Sequence, residues 1–340
     1  MGIVAACEAE VIRAAAVIRA GGLVAFPTET VYGLGADAYN PDALARVFEA
    51  KGRPRFDPLI VHLAEAADLG TVADLSALEP EERRLATVLA ERFWPGPLTL
   101  VLPKRAAVPD LATGGLPSVA VRVPANETAR RLIALSSGAV AAPSANPFGR
   151  ISPTRARHVL EGLGDRVDLI LDGGPSSIGL ESTVLDLRSL TVLRPGGIAA
   201  EAIREVAGRV SLRPDAGERP PVSPGMLKSH YAPTSPLATY AYGEIDSAEV
   251  RPGQAILFFD GISRDGWLAG RKPEGKPCVA VLAPSGDSLQ AASRLFQILH
   301  ALDRLRPGLI HAQMAPERGL GLAINDRLTR ASFKTGDGSA

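Results

Sequence analysis

The chain has 340 residues, 46% of them hydrophobic and 22% charged, and its 37 basic side chains equal its 37 acidic ones in number. These proportions exclude a chain that is disordered throughout, and the zero formal net charge argues against a protein that coats nucleic acid. Cys7 and Cys278 are the only cysteines, too few for a disulfide framework or a cysteine-based zinc site. We see neither a signal peptide nor an apolar run long enough for a membrane span, so we predict a cytoplasmic protein that does not associate with membranes.

Short apolar runs alternate with amphipathic stretches over residues 1–210. The spacing predicts helices over 8–20, 42–50, 79–94, 126–137 and 153–163. Strands are predicted over 23–28, 98–103, 118–124, 139–145, 167–174, 182–188 and 191–197. Because not every connection is a helix, we predict an α/β fold in which helices flank a twisted, mixed sheet.

The pattern changes over residues 211–236, which are rich in proline and lack apolar periodicity. We interpret this stretch as a linker or lid. Strands are predicted again over 255–261, 278–284 and 309–316, with an amphipathic helix over 288–305. Residues 237–340 therefore form a second, smaller α/β domain.

Five clusters of polar residues follow predicted strands or end predicted helices. In FPTETVYGLGADA (26–38), a predicted strand is followed by hydroxyl residues and glycines. These residues suit a polar ligand at the end of the strand, but they are equally typical of a tight turn. In KGRPRFDPLIVH (51–62), Lys51 and Arg53 suit a polyphosphate, but they equally complement the dipole at a helix end. His62 ends an apolar run, where a histidine is more often structural than catalytic.

The other three clusters lie further along the chain. Arg122 interrupts a strand that otherwise reads as buried, so its charge needs a partner or a ligand. AAPSANPFGRISPT (141–154) places small hydroxyl and amide groups before a predicted helix, which suits carboxylate or phosphate; a capping loop explains Ser152 alone. Ser182 and Arg194 stand near the ends of neighbouring strands, which form a hairpin if 188–190 is a turn.

The order of these clusters identifies a family. The chain resembles the YrdC-type threonylcarbamoyl-AMP synthases in FPTETVYGLGADA, KGRPRFDPLIVHL, WPGPLTLVL, VAVRVP, APSAN, DGG…ESTVLDL and LRPGG. SPGMLKSHYAP (223–233) and the domain after it resemble the long, two-domain form. The resemblance implies a YrdC-like catalytic domain over 1–210 and a small Rossmann-like domain over 237–340.

The resemblance also implies a reaction. L-threonine, bicarbonate or CO2, and ATP give threonylcarbamoyl-AMP and pyrophosphate, with Mg²⁺ bound to ATP and no metal site of the protein's own. A downstream transferase then passes the threonylcarbamoyl group to tRNA, so we expect no direct binding of tRNA. The carbamate is unstable in water, and we expect 223–233 to fold over the ATP site as a lid.

Site residues carry over from the family's motifs position by position. Five residues are expected to contact threonine: Thr30, His62, Arg122, Ala142 (through its backbone) and Ser182. Eight are expected on the ATP side: Lys51, Arg53, Asp57, Ser118, Ser144, Ser152, Arg194 and Tyr231. Lys51 and Arg53 are also the expected catalytic cations, whereas Asn146 is expected to shape its loop.

Asp57 departs from the family, because it stands where an asparagine is usual. An asparagine amide can donate to a phosphate, but an ionised aspartate only accepts. The alternatives are that Asp57 acts through Mg²⁺ or that it accepts a backbone N–H as a turn residue.

Two rival functions remain. Carbamoyl transfer in hydrogenase maturation uses a similar domain, but that family carries cysteine-rich zinc motifs, and two cysteines argue against it. An RNA-binding or ribosome-assembly module is the alternative that is not an enzyme. The absence of net positive charge and of an RNP-type aromatic motif weighs against it.

Overall fold

The computed structural model describes residues 2–212, 230–269 and 278–333, which form two units. The larger unit contains residues 2–148, 152–177 and 181–212, and the smaller unit contains residues 149–151, 178–180, 230–269 and 278–333. Most of the predicted linker or lid, residues 213–229, lies outside the described residues. No described helix is both long and apolar enough to cross a membrane.

The larger unit is built on a sheet of eleven strands, numbered here in chain order. They are β1 (Ile3–Ala5), β2 (Val24–Phe26), β3 (Gly33–Asp37), β4 (Ile60–Leu63), β5 (Leu98–Pro103), β6 (Ser118–Arg122), β7 (Ala139–Ala141), β8 (Leu169–Asp172), β9 (Thr183–Asp186), β10 (Thr191–Arg194) and β11 (Ser211–Leu212). Their order across the sheet is β1-β8-β2-β3-β7-β4-β6-β5-β9-β10-β11. Parallel and antiparallel pairs both occur, which confirms the predicted mixed sheet.

Seven helices flank this sheet among the described residues. They are α1 (Glu8–Arg19), α2 (Pro41–Lys51), α3 (Pro80–Phe93), α4 (Asp110–Thr113), α5 (Glu127–Leu135), α6 (Ala156–Leu163) and α7 (Ala200–Ala207). Asparagine side chains cap α2 and α5, since those of Asn40 and Asn126 accept hydrogen bonds from backbone N–H groups in the first turn. Ser152 does not open a helix, since α6 begins only at Ala156.

The two faces of the sheet carry different hydrophobic clusters. Buried side chains of α2, α3, α6 and α7 join the main hydrophobic core on one face. On the opposite face, α1 and α5 pack against β2, β7 and β8. Further along that face, a small buried cluster contains Ile60, Val101, Ala120 and Val184.

The smaller unit contains a four-stranded, fully parallel sheet. Its strands are β12 (Leu237–Tyr240), β13 (Ala255–Asp260), β14 (Cys278–Ala283) and β15 (Ile310–Gln313), in the order β12-β15-β13-β14. Its helices are α8 (Gly261–Ala269), α9 (Ser288–Arg304) and α10 (Gly321–Ser332). This α/β arrangement matches the predicted fold class of residues 237–340.

Sequence reasoning missed several elements. Residues 33–37 were predicted to be a glycine-rich turn, but they form β3. A Cβ on Gly35 would lie 2.7 Å from the Phe26 ring and 2.9 Å from the Val140 side chain, so packing and not a turn requires glycine there. The amphipathic helix predicted over 288–305 is α9. Of its expected apolar face, Ala292, Leu295, Phe296, Leu299 and Leu302 are buried, whereas Leu289 is exposed.

Candidate active site

The sheet face with this small apolar cluster also carries predicted site residues of β4 and β6. Successive residues of a strand point to opposite faces, so Ile60 and His62 share one face, as do Ala120 and Arg122. The register of β4 and β6 places His62 beside Arg122. The apolar cluster of Ile60, Ala120 and their neighbours is therefore the floor of a site, with polar side chains at its ends.

Arg122 lies at one end of this floor and is almost fully buried. It donates to the Thr30 hydroxyl at 2.8 Å, the Gly96 carbonyl at 3.2 Å and a Glu29 carboxylate oxygen at 2.5 Å. We call Glu29, Thr30, His62 and Arg122 the Arg122 pocket. The charge that interrupts the strand thus has a protein partner, and among the described residues three of its five N–H groups are engaged.

Glu29 is buried with Arg122, and its ionisation state follows from that pairing. Burial opposes ionisation, but the Arg122 guanidinium and backbone hydrogen bonds outweigh it, so the pKa of the Glu29 carboxyl lies below its ordinary value. The pair is a carboxylate and a guanidinium. A ligand carboxylate that approaches Arg122 therefore has to share the guanidinium with Glu29.

His62 and Ala142 complete this end of the site. Burial, and then the charge of Arg122, lowers the pKa of the His62 imidazole to about 3, so the ring is neutral at physiological pH. Its Nδ1 lies 3.2 Å from the Ile60 carbonyl oxygen, and its ring meets Phe26 edge to face. The backbone N–H of Ala142 donates to the Ile60 carbonyl at 2.9 Å, which fixes the start of the Ser144 loop beside β4.

Ser182 and Arg194 lie across the β9–β10 hairpin, as predicted. The Arg194 guanidinium donates to the Ser182 carbonyl at 2.9 Å and contacts its hydroxyl at 3.2 Å. The Ser182 hydroxyl also lies 2.7 Å from that of Thr99 on β5. All three side chains are buried, so this group is a fixed polar corner of the sheet face.

Lys51 ends α2 but does not extend into solvent. Its ammonium donates to the backbone carbonyls of Ser144 and Asn146, and the side chain is buried. Burial, and then the like charge of Arg53, lowers the pKa of Lys51 well below its ordinary value. An anion beside this ammonium would favour its charged form.

Arg53 and Asp57 form a buried ion pair of 2.9 Å, with side chains 3% and 0% exposed. Arg53 also donates to the carbonyls of Asp57 and Pro58. Burial raises the pKa of the Asp57 carboxyl, and the charges of Arg53, Lys51 and Arg194 only partly offset this. We call Lys51, Arg53, Asp57 and Arg194 the cation cluster: three cations surround one carboxylate.

The remaining predicted site residues are placed as follows. Ser118 is the first residue of β6. Because β4 runs parallel to β6, the residues that precede β4, Asp57 and Pro58, lie toward the same end of the sheet. Ser144 lies in the loop whose carbonyl holds Lys51, and the Asn146 amide donates to the Pro147 carbonyl at 2.9 Å.

Ser152 and Tyr231 have contacts that the sequence did not predict. The buried Ser152 hydroxyl donates to a Glu181 carboxylate oxygen. Tyr231 belongs to the smaller unit, where its ring stacks on Phe296 at 5.6 Å and lies 5.0 Å beneath the Arg327 guanidinium. The expectation that Tyr231 contacts ATP stays a prediction, as does the lid role of 223–233, most of which lies outside the described residues.

Sequence reasoning missed three buried polar residues of this site: Glu29, Thr99 and Glu181. Each lies inside or beside a motif already singled out, but its partner comes from a distant segment. Local pattern therefore gave no sign of the Glu29–Arg122 pair or of the Glu181–Ser152 bond. The one available signal was the arginine within a predicted buried strand, because a buried guanidinium requires a partner of opposite charge.

Comparison with known proteins agrees with these motifs. The family model described as Telomere recombination, covering Sua5, YciO and YrdC proteins, matches residues 16–196. The model of the threonylcarbamoyl-AMP synthase C-terminal domain matches residues 198–332.

Proteins of Pyrococcus abyssi and Bacillus subtilis align with most of this chain. A threonylcarbamoyl-AMP synthase of Pyrococcus abyssi is 44% identical over 325 residues, covering 94% of this chain and 93% of that protein. A Bacillus subtilis protein of the same name is 42% identical, covering 96% and 93%. The crystal structure of P. abyssi Sua5 complexed with L-threonine aligns with a TM-score of 0.82 at 40% identity, over 96% of this chain and 95% of that one. The chain belongs to the threonylcarbamoyl-AMP synthase family and contains both its Sua5/YrdC domain and its C-terminal domain.

Proposed function

We propose that this chain makes threonylcarbamoyl-AMP and pyrophosphate from L-threonine, bicarbonate or CO2, and MgATP. The Arg122 pocket binds threonine, and the cation cluster binds the triphosphate. One observation carries the proposal: Arg194 of the cation cluster contacts Ser182, an expected threonine-binding residue, at 3.2 Å, so the cation cluster adjoins the threonine side. That arrangement suits a substrate with one carboxylate joined to a second substrate with several phosphates.

The Arg122 pocket is suited to an α-amino acid. Two N–H groups of the guanidinium remain beyond the described contacts with Glu29, Thr30 and Gly96, enough to form a fork with a carboxylate. The His62 imidazole, with a pKa of about 3, is a weak base. We therefore assign it to hydrogen bonding and not to accepting the proton of the amine.

The cation cluster is suited to charge that moves during phosphoryl chemistry. Lys51 and Arg53 are buried and held by carbonyl groups, so they need little reorganisation when negative charge develops on phosphate oxygens. Mg²⁺ is treated as part of the MgATP substrate, because this ion usually binds through substrate phosphates and keeps several waters. We propose that Asp57 orients Arg53 and does not bind Mg²⁺, since its carboxylate is paired with that arginine.

The chemistry needs no nucleophilic side chain. The unprotonated threonine amine attacks the carbon of bicarbonate, forming a carbamate and releasing water. A carbamate oxygen then attacks the α-phosphorus, and the bond to the β-phosphate oxygen breaks as pyrophosphate leaves. In this scheme the protein aligns the two substrates and stabilises charge on the phosphates.

The product is a mixed anhydride, and we propose that a separate transferase passes its threonylcarbamoyl group to tRNA. A neutral chain does not need to hold the tRNA itself. We further propose that the protein works in the cytoplasm, where ATP, threonine and tRNA are all available.

A product assay tests the proposal. Incubation of the full chain with ¹⁴C-labelled threonine, bicarbonate and MgATP should give labelled threonylcarbamoyl-AMP and one equivalent of pyrophosphate. Omission of threonine or bicarbonate should abolish pyrophosphate release. A chain that binds RNA oligonucleotides and releases no threonine-dependent pyrophosphate would instead support the rival RNA-binding function.

A further inference from the structure

Two short segments of the first 210 residues belong to the smaller unit. They are Gly149–Ile151 and Ile178–Leu180. Each is followed directly along the chain by residues of the proposed active site, Ser152 in one case and Glu181 and Ser182 in the other. The smaller unit therefore contains the residues immediately before two site loops.

Gly149–Ile151 is held by residues 232–234 and by α9. The Ala232 N–H donates to the Gly149 carbonyl at 2.8 Å, and Arg150 pairs with Ala232 as a parallel bridge. The Arg150 guanidinium donates to the Thr234 hydroxyl and lies 3.9 Å from the Asp303 carboxylate. Asp303 itself accepts the Thr234 N–H at 2.9 Å.

Ile178–Leu180 lies against α9 so closely that only glycine fits at its centre. Gly179 has φ +72°, and a Cβ there would be 2.7 Å from the Ser293 Cα and 2.8 Å from the Ala292 carbonyl oxygen. These obstacles are helix backbone, which cannot rotate away as a side chain can. The conformation and the close approach both require the absence of a side chain.

The two loops that leave these segments are also joined to each other within the larger unit. The Ser152 hydroxyl donates to Glu181. Ser176, which precedes Ile178–Leu180, donates its N–H to the Thr154 carbonyl at 3.0 Å. A shift of one segment would therefore disturb both loops. A shift of Ile178–Leu180 would act first on Ser182, which contacts Arg194 and Thr99.

We infer that the smaller unit aligns the two site loops for catalysis, with Arg150, Gly179 and Asp303 as positioning residues. None of the three is proposed to touch substrate. Arg150 and Asp303 fix the segment before Ser152, on the ATP side, and Gly179 fixes the segment before Ser182, on the threonine side. This inference rests on the proposed function only where it assigns Ser152 to ATP and Ser182 to threonine.

The test compares Gly179→Ala with Gly208→Ala in the full chain. Gly208 also has a positive φ, +75°, but a Cβ there meets nothing within 4 Å, so this control imposes backbone strain without a steric clash. We expect Gly179→Ala to raise KM for threonine by about 10-fold to 100-fold, with a smaller change in KM for ATP. Gly208→Ala should keep both constants.

Arg150→Ala should show the opposite split, with KM for ATP raised more than KM for threonine. Arg150→Lys keeps the charge near Asp303 and should recover part of the loss. Arg84→Ala, which removes an exposed ion pair with Glu81, controls for the loss of a surface arginine. Amide hydrogen exchange of the full-length variants should be faster over 152–154 after Arg150→Ala and over 181–183 after Gly179→Ala.

If Gly179→Ala and Arg150→Ala both keep the KM values and the amide hydrogen exchange of wild type, the inference is overturned. A uniform loss of both constants together with a lower melting temperature would also overturn it, because that is general destabilisation. If the wild-type chain makes no threonylcarbamoyl-AMP, the proposed function fails, but the exchange measurement still decides whether the smaller unit aligns the loops.

Discussion

The Arg122 pocket and the cation cluster each bury an arginine–carboxylate pair, but the pKa values of their carboxylates shift in opposite directions. In the pocket, one guanidinium matches one carboxylate, and the pKa of Glu29 is lowered. In the cluster, deeper burial raises the pKa of Asp57 even though three cations surround it. The pocket is thus neutral without a ligand, whereas the cluster has excess positive charge that an anion would compensate.

This difference in charge balance indicates different tasks for the Arg122 pocket and the cation cluster. A balanced pocket can select a small zwitterion by geometry, because its charges already have partners. A cluster with excess positive charge gains most when a polyphosphate arrives. Substitutions that remove one charge at a time therefore test whether the two groups differ in charge balance.

The largest effect is expected from Arg122→Ala. Loss of one member of a buried ion pair costs about 3–5 kcal/mol, because the Glu29 carboxylate is left buried without its partner. Threonine binding should be lost in the same variant. Calorimetry with threonine and chemical denaturation measure the two effects separately.

The double variant Arg122→Ala/Glu29→Gln distinguishes stability from recognition. It should regain much of the lost stability, because no charge is left unpaired, and it should still fail to bind threonine. Recovery of threonine binding in the double variant would contradict the assignment of Arg122 to the substrate carboxylate.

Lys51→Met should slow formation of the adenylate by about 10²-fold, as expected when one donor to developing phosphate charge is removed. Pyrophosphate release in the product assay measures this rate.

Lys104→Met is the matched control for this prediction. Lys104 pairs with the exposed Asp110 carboxylate, so its loss should leave the rate unchanged. A wild-type rate in Lys51→Met would contradict the assignment of Lys51 to the developing phosphate charge.

The sequence predicted most of the fold and part of the site. Apolar runs and caps located β5, β6, α2 and α5 well, because these elements follow local patterns. The expectation that Lys51 and Arg53 lie at a helix end was incomplete, since both are also buried. Burial depends on the Ser144 loop, which is distant in sequence from α2.

The partners of the buried charges were not predictable from local sequence. Glu29 meets Arg122 only because β2, β4 and β6 are assembled in one sheet whose order departs from the chain order. The departure at Asp57 left two alternatives open, a role through Mg²⁺ or a turn. The structure adds a third, the ion pair with Arg53, which spans only four residues but needs the turn that the Asp57 N–H closes on the Pro54 carbonyl at 3.1 Å.

A smaller effect is expected from Asp57→Asn, which restores the amide usual in the family. Removing a negative charge near the phosphates should tighten ATP binding by about 1 kcal/mol, or about fivefold. Equilibrium titration with a non-hydrolysable ATP analogue measures this. Glu29→Gln is the comparison variant and should give no such gain, since Glu29 lies at the threonine end.

The smallest effect concerns stability and pH. The contributions of Glu29 and Asp57 to the free energy of unfolding should change in opposite directions as pH rises. The folded-state pKa of Glu29 is below 4.5, so the unfolded chain binds more protons, and the stability from Glu29 is lost as pH falls below that value. The folded-state pKa of Asp57 is above 3.8, so the folded chain binds more protons, and Asp57 costs stability as pH rises past that value.

The stability difference between wild type and Glu29→Gln should therefore grow from pH 3 to pH 5, while the advantage of wild type over Asp57→Asn should shrink. Trp94 lies in the larger unit and Trp267 in the smaller, so denaturation followed by fluorescence in a Trp267→Phe background reports on the unit that contains both carboxylates. If both stability differences changed in the same direction with pH, the Arg122 pocket and the cation cluster would not differ in charge balance. The division of tasks between them would then have to rest on shape alone.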